Sequence, residues 1–143
     1  MSLFNKKKPE EKVQHYYRTA LDTKRRKRIK DPDAYARKTG QCGDTVEIFL
    51  MADNDQIRNI FFETNGCLNT SACANAVGCL SEGKTITEAW DITPDHIVNY
   101  LGALPLEKIH CAELAAGTFY LALSNYKQNQ RSPLKKIYQT QKI

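Results

Sequence analysis

Five side chains of this sequence are suited to binding a metal ion or transferring sulfur: Cys42, Asp44, Cys67, His110 and Cys111. Thiolate, imidazole and carboxylate groups are the protein ligands of zinc and iron. A thiolate is also the nucleophile that attacks sulfur in exchange reactions. Three thiolates with an imidazole or a carboxylate suit either a [2Fe–2S] cluster or tetrahedral zinc. None of the cysteine pairs has C-x-x-C spacing, so the argument for one site depends on the fold.

A predicted β-hairpin brings the first two of these cysteines together. Alternating apolar residues predict a strand at 45–51, and the apolar residues Ile60, Phe61 and Phe62 predict its return strand at 57–64, with a polar turn between the two. Cys42 lies just before the first strand and Cys67 lies just after the second. Because antiparallel strands run out and back, we expect both thiols, and Asp44 beside them, at one end of the hairpin.

The third cysteine is predicted near the start of a long helix. Apolar residues recur every three or four positions over residues 107–127, and Pro105 suits the turn in front of them. Backbone N–H groups and the dipole at a helix N-terminus favour an anion, and Lys108 adds positive charge. We therefore expect His110 and Cys111 to join the same site, with a lowered pKa for the Cys111 thiol and an accessible sulfur.

The chain is predicted to form a single domain, since 143 residues suffice for one core. It divides into a basic N-terminal helix and linker (1–33), a central core (34–128) and a basic C-terminal tail (129–143). Periodicity and capping signals predict the remaining elements: helices at 9–29, 69–81, 85–90 and 94–101, and a loop at 34–43.

Charge is divided unevenly along the chain. Residues 1–30 hold 11 basic and 3 acidic residues, a net charge of +8, whereas residues 31–124 hold 5 and 13, a net charge of −8. Basic ends can bind nucleic acid or acidic protein surfaces, but more often they are only solvated. The run at 24–30 lacks the interleaved aromatic residues of a nucleic-acid-binding segment.

The cysteine count predicts the compartment. Five cysteines, an odd number, occur without a secretory signal and without an apolar run of membrane-spanning length. We therefore expect a cytoplasmic protein with reduced thiols and no membrane partner.

Two further patterns are interpreted as structural. Residues 78–85 satisfy the P-loop pattern G-x-x-x-x-G-K-[ST], but a predicted helix precedes them where a nucleotide site needs a strand. Nucleotide binding is therefore not expected. Cys73 and Cys79 lie within that helix and are interpreted as small apolar residues of the core.

Several short motifs agree in order and spacing with a known family. They are Cys42-Gly43-Asp44, Gly66-Cys67, Gly83-Lys84, Glu88-Ala89, Leu104-Pro105 and Lys108-Ile109-His110-Cys111-Ala112. On these motifs, the chain from about residue 40 to residue 127 resembles the U-type iron–sulfur cluster scaffold family, which comprises IscU and the N-terminal domain of NifU. The resemblance implies an α+β fold: helices pack on one face of a small antiparallel sheet, and the metal or cluster site lies at one end of that sheet. The insertion of SufU-type relatives between the second and third cysteines is absent.

The resemblance also implies a function and residue roles. Members are scaffolds or carriers, not enzymes: they receive iron, and persulfide sulfur from a cysteine desulfurase, build a transient [2Fe–2S] cluster and pass it to apo-proteins. Carried over by motif, Cys42, Cys67 and Cys111 are cluster ligands, and Cys111 is also the persulfide acceptor. Asp44 and His110 are nearby ligands or groups that set lability. The resemblance leaves open bound zinc and a homodimer.

Two departures limit which partners the resemblance implies. The family pattern His-Tyr-x-x-Pro-Arg-Asn is here His15-Tyr16 followed by Tyr-Arg-Thr-Ala, and the chaperone-binding Leu-Pro-Pro-Val-Lys is Leu-Pro-Leu-Glu-Lys at 104–108. A dedicated Hsp70-class chaperone is therefore not supported. The alternatives are a zinc-binding sulfur acceptor of the same family that builds no cluster and, with less support, a nucleic-acid-binding module that uses the basic run.

Overall fold

The computed structural model describes residues 8–131, which form a three-stranded antiparallel sheet with helices packed against it. The strands are β1 (Ala34–Thr39), β2 (Thr45–Asp53) and β3 (Gln56–Thr64), in the order β1-β2-β3. The helices are α1 (Pro9–Ala20), α2 (Leu68–Ser81), α3 (Ile86–Ala89), α4 (Pro94–Leu101) and α5 (Ile109–Arg131), with a 3-10 turn at Leu106–Lys108. The expected α+β architecture and the hairpin of β2 and β3 are confirmed.

The core lies between the sheet and helices α2 and α5. On β2, the side chains of Val46, Ile48 and Leu50 are completely buried, as their alternation predicts. Helix α2 is buried almost all round because α1, α4, α5 and β3 pack against it. Helix α5 packs across β1 and β2. The two central helices are thus held firmly against the sheet, and their first turns can carry site residues in fixed positions.

Residues 34–43 do not form the predicted loop. Residues 34–39 are β1, which pairs with β2 from Ala34 opposite Leu50 to Thr39 opposite Thr45. The inward side chains of this strand are Ala34 and Ala36, which are buried where α5 packs against β1. The loop prediction was wrong because two alanines give little apolar signal, although their small size is what lets the helix approach the strand.

The basic run is not helical either. Helix α1 ends at Ala20, and residues 24–30, called here the basic strap, follow the edge of β3. The Phe62 N–H donates to the Arg25 carbonyl at 2.9 Å, and the Arg26 guanidinium donates to the Thr64 carbonyl at 2.7 Å. Because β1 lies at the opposite edge of the sheet, the chain must then cross the sheet to reach residue 34. The predicted helix over 9–29 was therefore wrong beyond residue 20.

Side chains of the strap are paired with the body of the protein. Its ion pairs are Arg25–Glu82 at 2.6 Å, Arg26–Glu63 at 3.8 Å and Arg28–Glu47 at 2.7 Å. The Lys27 Nζ atom lies 5.2 Å from the centre of the Phe61 ring, and the Arg28 Cζ atom lies 5.2 Å from the centre of the Phe49 ring. Cation–π contacts and ion pairs of this kind hold a segment onto a sheet face. The positive charge of the run thus serves largely to fasten the strap.

The edge of β3 that faces away from β2 is closed by residues 82–84 as well as by the strap. The Ile57 N–H donates to the Lys84 carbonyl and the Gly83 N–H to the Ile57 carbonyl, both at 2.8 Å. The Ile60 N–H donates to Glu82 Oε2 at 3.0 Å. An unpaired strand edge invites pairing with another chain. These hydrogen bonds occupy the backbone groups that such pairing would need.

The other predicted helices are confirmed, with ends that differ by a few residues. Thr85 and Thr93 cap α3 and α4 as their sequences indicate, and Gly102 ends α4 with a φ of +77°. Helix α5 continues to Arg131, so the start of the predicted tail is helical, and the rest of that tail lies outside the described residues. Within residues 8–131, no helix is both long and apolar enough to cross a membrane.

Candidate metal centre

The ligand atoms of Asp44, Cys67 and Cys111 lie within 4.8 Å of one another. Asp44 ends the turn between β1 and β2, Cys67 is the N-cap of α2, and Cys111 lies in the first turn of α5. The hairpin places the first two residues at the same end of the sheet, and the packing of α5 on β1 and β2 brings the third one to them. Three separate elements therefore converge on one cluster of two sulfurs and one carboxylate.

Cys42 and His110, which the sequence also predicts at this site, are not in this tight group. Both side chains are exposed. Cys42 lies in the turn 40–44, which is closed by a hydrogen bond of 2.8 Å from the Gly40 N–H to the Asp44 carbonyl. Gly43 has a φ of +90° in this turn, a conformation that glycine adopts at little cost. The turn thus carries one candidate ligand, Cys42, outward and another, Asp44, inward.

A threonine hydroxyl touches all three grouped side chains. The Thr70 Oγ1 atom lies 3.1 Å from Asp44 Oδ2, 3.5 Å from Cys111 Sγ and 3.9 Å from Cys67 Sγ. Thr70 is fully buried. The sequence analysis did not identify this residue, which lies inside the first turn of α2. The available signal was its position three residues after Cys67, which puts both side chains on the same helix face.

Gly66 makes room for this arrangement. A Cβ atom at residue 66 would lie 2.6 Å from Thr70 Oγ1 and 2.9 Å from Asp44 Oδ2. Both distances are shorter than the contacts that real Cβ atoms make. Glycine is needed at this position for close approach, because any larger residue would separate the hydroxyl from the carboxylate.

Cys67 is the thiol of the group that ionises most readily. Partial burial raises its pKa, but hydrogen bonds from the backbone and side chains of Thr70 and Asn69 outweigh burial, so the pKa lies below its usual value. The Asn69 Nδ2 atom donates to Cys67 Sγ at 3.6 Å, and the Tyr16 hydroxyl donates to Oδ1 of the same Asn69 side chain. Helix α1 therefore helps to orient a donor to this sulfur, a contact that the sequence analysis missed.

The expectation for Cys111 was wrong. Burial raises the pKa of this thiol, the nearby Cys67, Asp44 and Cys42 raise it further, and the hydrogen bond from Thr70 only partly offsets them. Only 1% of the residue is exposed, so the prediction of an accessible sulfur was also wrong. A helix N-terminus favours a thiolate, but desolvation and neighbouring negative groups oppose one, and here they outweigh the dipole.

The two cysteines interpreted as core residues differ. Cys73 is buried, and burial raises its pKa, in agreement with a structural role. Cys79 is exposed, so its interpretation as a core residue was wrong. The P-loop pattern at 78–85 begins inside α2 and ends at the four-residue α3, with Gly83 at a φ of +91° after the helix. This segment therefore has neither the strand nor the long helix of a nucleotide site.

The grouped donors suit a tetrahedral metal ion. Metal–sulfur bonds of about 2.3 Å separate two sulfurs of a tetrahedral site by about 3.8 Å. Ligand atoms within 4.8 Å of one another therefore need to contract by only about one ångström to surround one ion. Two thiolates and a carboxylate match the donor preferences of zinc and iron. Cys42 and His110, whose side chains are exposed, are the sequence-predicted candidates for a fourth ligand.

Comparison with known proteins identifies relatives of this chain. The model of the NifU-like N-terminal domain matches residues 11–133. The iron–sulfur cluster assembly scaffold protein IscU 1 of Archaeoglobus fulgidus is 38% identical over 85 residues, which are 59% of this chain and 56% of that protein. The iron–sulfur cluster assembly scaffold protein IscU of Aquifex aeolicus is 32% identical over 102 residues, 66% of this chain and 65% of that protein. The matches thus span less than two thirds of these relatives' lengths.

The fold is shared with a solved structure of low sequence identity. The N-terminal part of a nitrogen-fixing NifU-like protein from Brucella abortus superposes with a TM-score of 0.66 and 16% identity, covering 83% of this chain and 97% of that one. The family model covers nearly the whole described region, including the elements that carry Asp44, Cys67 and Cys111. The chain therefore belongs to the NifU-like N-terminal domain family, the U-type family whose motifs its sequence carries.

Proposed function

We propose that this protein is an iron–sulfur cluster assembly scaffold that binds iron and sulfur as cargo, builds a transient [2Fe–2S] cluster and passes it to apo-proteins. The observation that carries the proposal is the convergence of Asp44, Cys67 and Cys111 within 4.8 Å. Its relatives in Archaeoglobus fulgidus and Aquifex aeolicus are named as scaffolds of this kind. We propose a carrier role without catalytic turnover, with a cysteine desulfurase as sulfur donor.

The proposed ligands are Cys42, Cys67 and Cys111, with Asp44 and His110 as further ligands or lability-setting groups. Cys67 and Cys111 belong to the tight group, and Cys42 completes the set when its turn brings the thiol inward. A carboxylate is a harder ligand than a thiolate and draws water to the site. Asp44 therefore favours release of the cargo, which a scaffold needs and a permanent metal site does not.

We propose Cys111 as the residue that receives sulfur, as the family motif implies. In this step the Cys111 thiolate attacks the outer sulfur of the donor persulfide, the donor S–S bond breaks, and the donor leaves as a thiolate. Reduction of each transferred sulfur to sulfide needs two electrons from an external electron donor. Because Cys111 is 1% exposed, docking of the donor must first uncover this sulfur.

The proposed chemistry requires reduced thiols. All five cysteines of the chain are unpaired in the structure. Thiols persist in this state in the cytoplasm, where glutathione and thioredoxin keep them reduced. We therefore place the proposed function in the cytoplasm.

Anaerobic reconstitution with ferrous iron, cysteine, a cysteine desulfurase and dithiothreitol as the electron donor tests the proposal, with visible absorption as the measure of cluster formation. We expect a [2Fe–2S] spectrum from the parent, and loss of it in Cys42→Ser, Cys67→Ser and Cys111→Ser. The matched controls are Cys73→Ser and Cys79→Ser, which should form the cluster normally. A parent that binds zinc and accepts sulfur but never develops the spectrum would refute the scaffold function in favour of the zinc-binding sulfur acceptor.

A further inference from the structure

The Thr70 hydroxyl lies within 3.9 Å of a ligand atom of each of the three grouped residues. It has a single proton to donate, and its distances of 3.1 Å to Asp44 Oδ2 and 3.5 Å to Cys111 Sγ both allow a hydrogen bond. Thr70 is fully buried, so water does not compete for this contact. In a buried setting, such a hydrogen bond fixes the position of its acceptor more firmly than an exposed one does.

The hydroxyl lies at the inner side of the group. Its distances to the three ligand atoms, 3.1 to 3.9 Å, are longer than the bonds of about 2.0–2.3 Å that a zinc ion makes. Thr70 itself is fully buried in the first turn of α2, whereas Cys42 and His110 are exposed. A metal ion that arrives from the exposed side can therefore bind the ligands while the hydroxyl stays behind them.

We propose that Thr70 is a positioning residue that holds Asp44 and Cys111 in their ligating arrangement before the metal arrives, and then donates a hydrogen bond to one of these ligands in the loaded site. The proposal rests on the proposed function, because it concerns the same ligands. Without the hydroxyl, the Asp44 carboxylate and the buried Cys111 thiol lose their common hydrogen-bond partner. They would then spread apart, and the metal would have to gather them.

The close fit at Gly66 supports this role. A Cβ atom at residue 66 would meet the hydroxyl and the Asp44 carboxylate at 2.6 and 2.9 Å. The local backbone is thus compatible with the Thr70–Asp44 contact only if residue 66 has no side chain. Gly66→Ala should therefore disturb the same contact from the other side while leaving both contacting side chains in place.

Titration with Co²⁺ under anaerobic conditions tests the proposal, because thiolate-to-cobalt charge-transfer absorption reports both affinity and sulfur bonding. Thr70→Val keeps the shape of the side chain and removes the hydroxyl. We expect its Co²⁺ affinity to fall by between about tenfold and a hundredfold, the usual cost of losing a group that orients a metal ligand. If the hydroxyl donates to Cys111 in the loaded site, the charge-transfer band of the variant should also move to lower energy, because a thiolate that accepts no hydrogen bond is easier to oxidise. A lowered affinity with an unshifted band would assign the hydrogen bond to Asp44. Thr70→Ser should restore the parental affinity and band.

Gly66→Ala is the second variant, and it keeps the test decisive if Thr70→Val does not fold. We expect it to lower the Co²⁺ affinity as well, with thermal unfolding of the metal-free protein as the measure of folding. Parental affinity and spectrum in Thr70→Val or in Gly66→Ala would overturn the proposal, and so would a Thr70→Ser protein as weak as Thr70→Val. A parent that binds no Co²⁺ through sulfur would refute the proposed function, and the role of Thr70 with it. A parent that binds Co²⁺ through sulfur, with variants that bind it equally well, would refute only the role of Thr70.

Discussion

Replacing Arg25 in the basic strap should destabilise the protein, although the residue belongs to a run that resembles a solvated charge cluster in the sequence. The guanidinium donates to both carboxylate oxygens of Glu82, at 2.6 and 3.2 Å. The same carboxylate accepts the Ile60 N–H at 3.0 Å. Arg25→Ala would therefore loosen the attachment of the strap, of the end of α2 and of β3 together.

The expected magnitude follows from burial. Removing one partner of a fully buried ion pair costs about 3–5 kcal/mol, whereas an exposed pair contributes about 0–1 kcal/mol. The Arg25 and Glu82 side chains are 17% and 24% exposed, so solvent screens the pair in part. We therefore expect Arg25→Ala to lower the free energy of unfolding by about 2 kcal/mol. For a domain of this size, that corresponds to a melting temperature lower by roughly 7 °C.

Urea unfolding of the metal-free protein measures this change, with Lys24→Ala as the matched control. The Lys24 side chain is 84% exposed, and its Nζ atom lies 3.9 Å from Asp22 Oδ2. An ion pair this exposed contributes little, so Lys24→Ala should leave the unfolding midpoint unchanged. A double mutant with Glu82→Gln should lose less stability than the sum of the two single mutants, because both remove the same contact. If Arg25→Ala were as stable as Lys24→Ala, the strap would be a free basic surface, and the nucleic-acid hypothesis would regain support.

Two predictions concern the site itself. Asp44→Ala should hold its cluster longer than the parent, with transfer to apo-ferredoxin slower by about tenfold, whereas the exposed Asp91→Ala control should transfer at the parental rate. Equal rates for all three proteins would contradict a role of Asp44 in release. In the metal-free protein, iodoacetamide should label the exposed Cys67, whose pKa is lowered, much faster than Cys111, which is 1% exposed. Peptide mass analysis after timed quenching measures both rates, and comparable rates would show that the burial of Cys111 does not protect it.

The parts of the fold that were predictable are those with strong local signals. Alternation along β2, the apolar run of β3 and the turn between them predict the hairpin, and the hairpin alone brings Asp44 and Cys67 to one end of the sheet. Thr93 and Pro94 mark the start of α4 in the sequence, as its cap and its first residue. In each case neighbouring residues carry the information, so periodicity and capping suffice.

The parts that were not predictable depend on distant residues. The charges of the strap suggested a helix extension because lysine and arginine are good helix formers, and their partners Glu47, Glu63 and Glu82 are far away in the sequence. Thr70 contacts Asp44 and Cys111, which lie 26 and 41 residues away from it in the sequence. The pKa of Cys111 is raised by burial, whereas the sequence predicted a lowered pKa. This shift also depends on distant residues, since desolvation is set by tertiary packing.

The sealed edge of β3 bears on where the protein can be divided. The Arg25 carbonyl accepts a hydrogen bond from the Phe62 N–H, and the Arg26 guanidinium donates one to the Thr64 carbonyl. A domain boundary near residue 33 would nevertheless assign both arginines to a separate N-terminal segment. A fragment that starts at residue 34 would keep the cysteines but expose the Phe62 N–H and the Thr64 carbonyl, on the part of the β3 edge that residues 82–84 do not cover. Such an exposed edge offers a template for edge-to-edge pairing between fragments. The basic strap thus completes the edge of the sheet, and we expect a fragment designed to fold alone to need it.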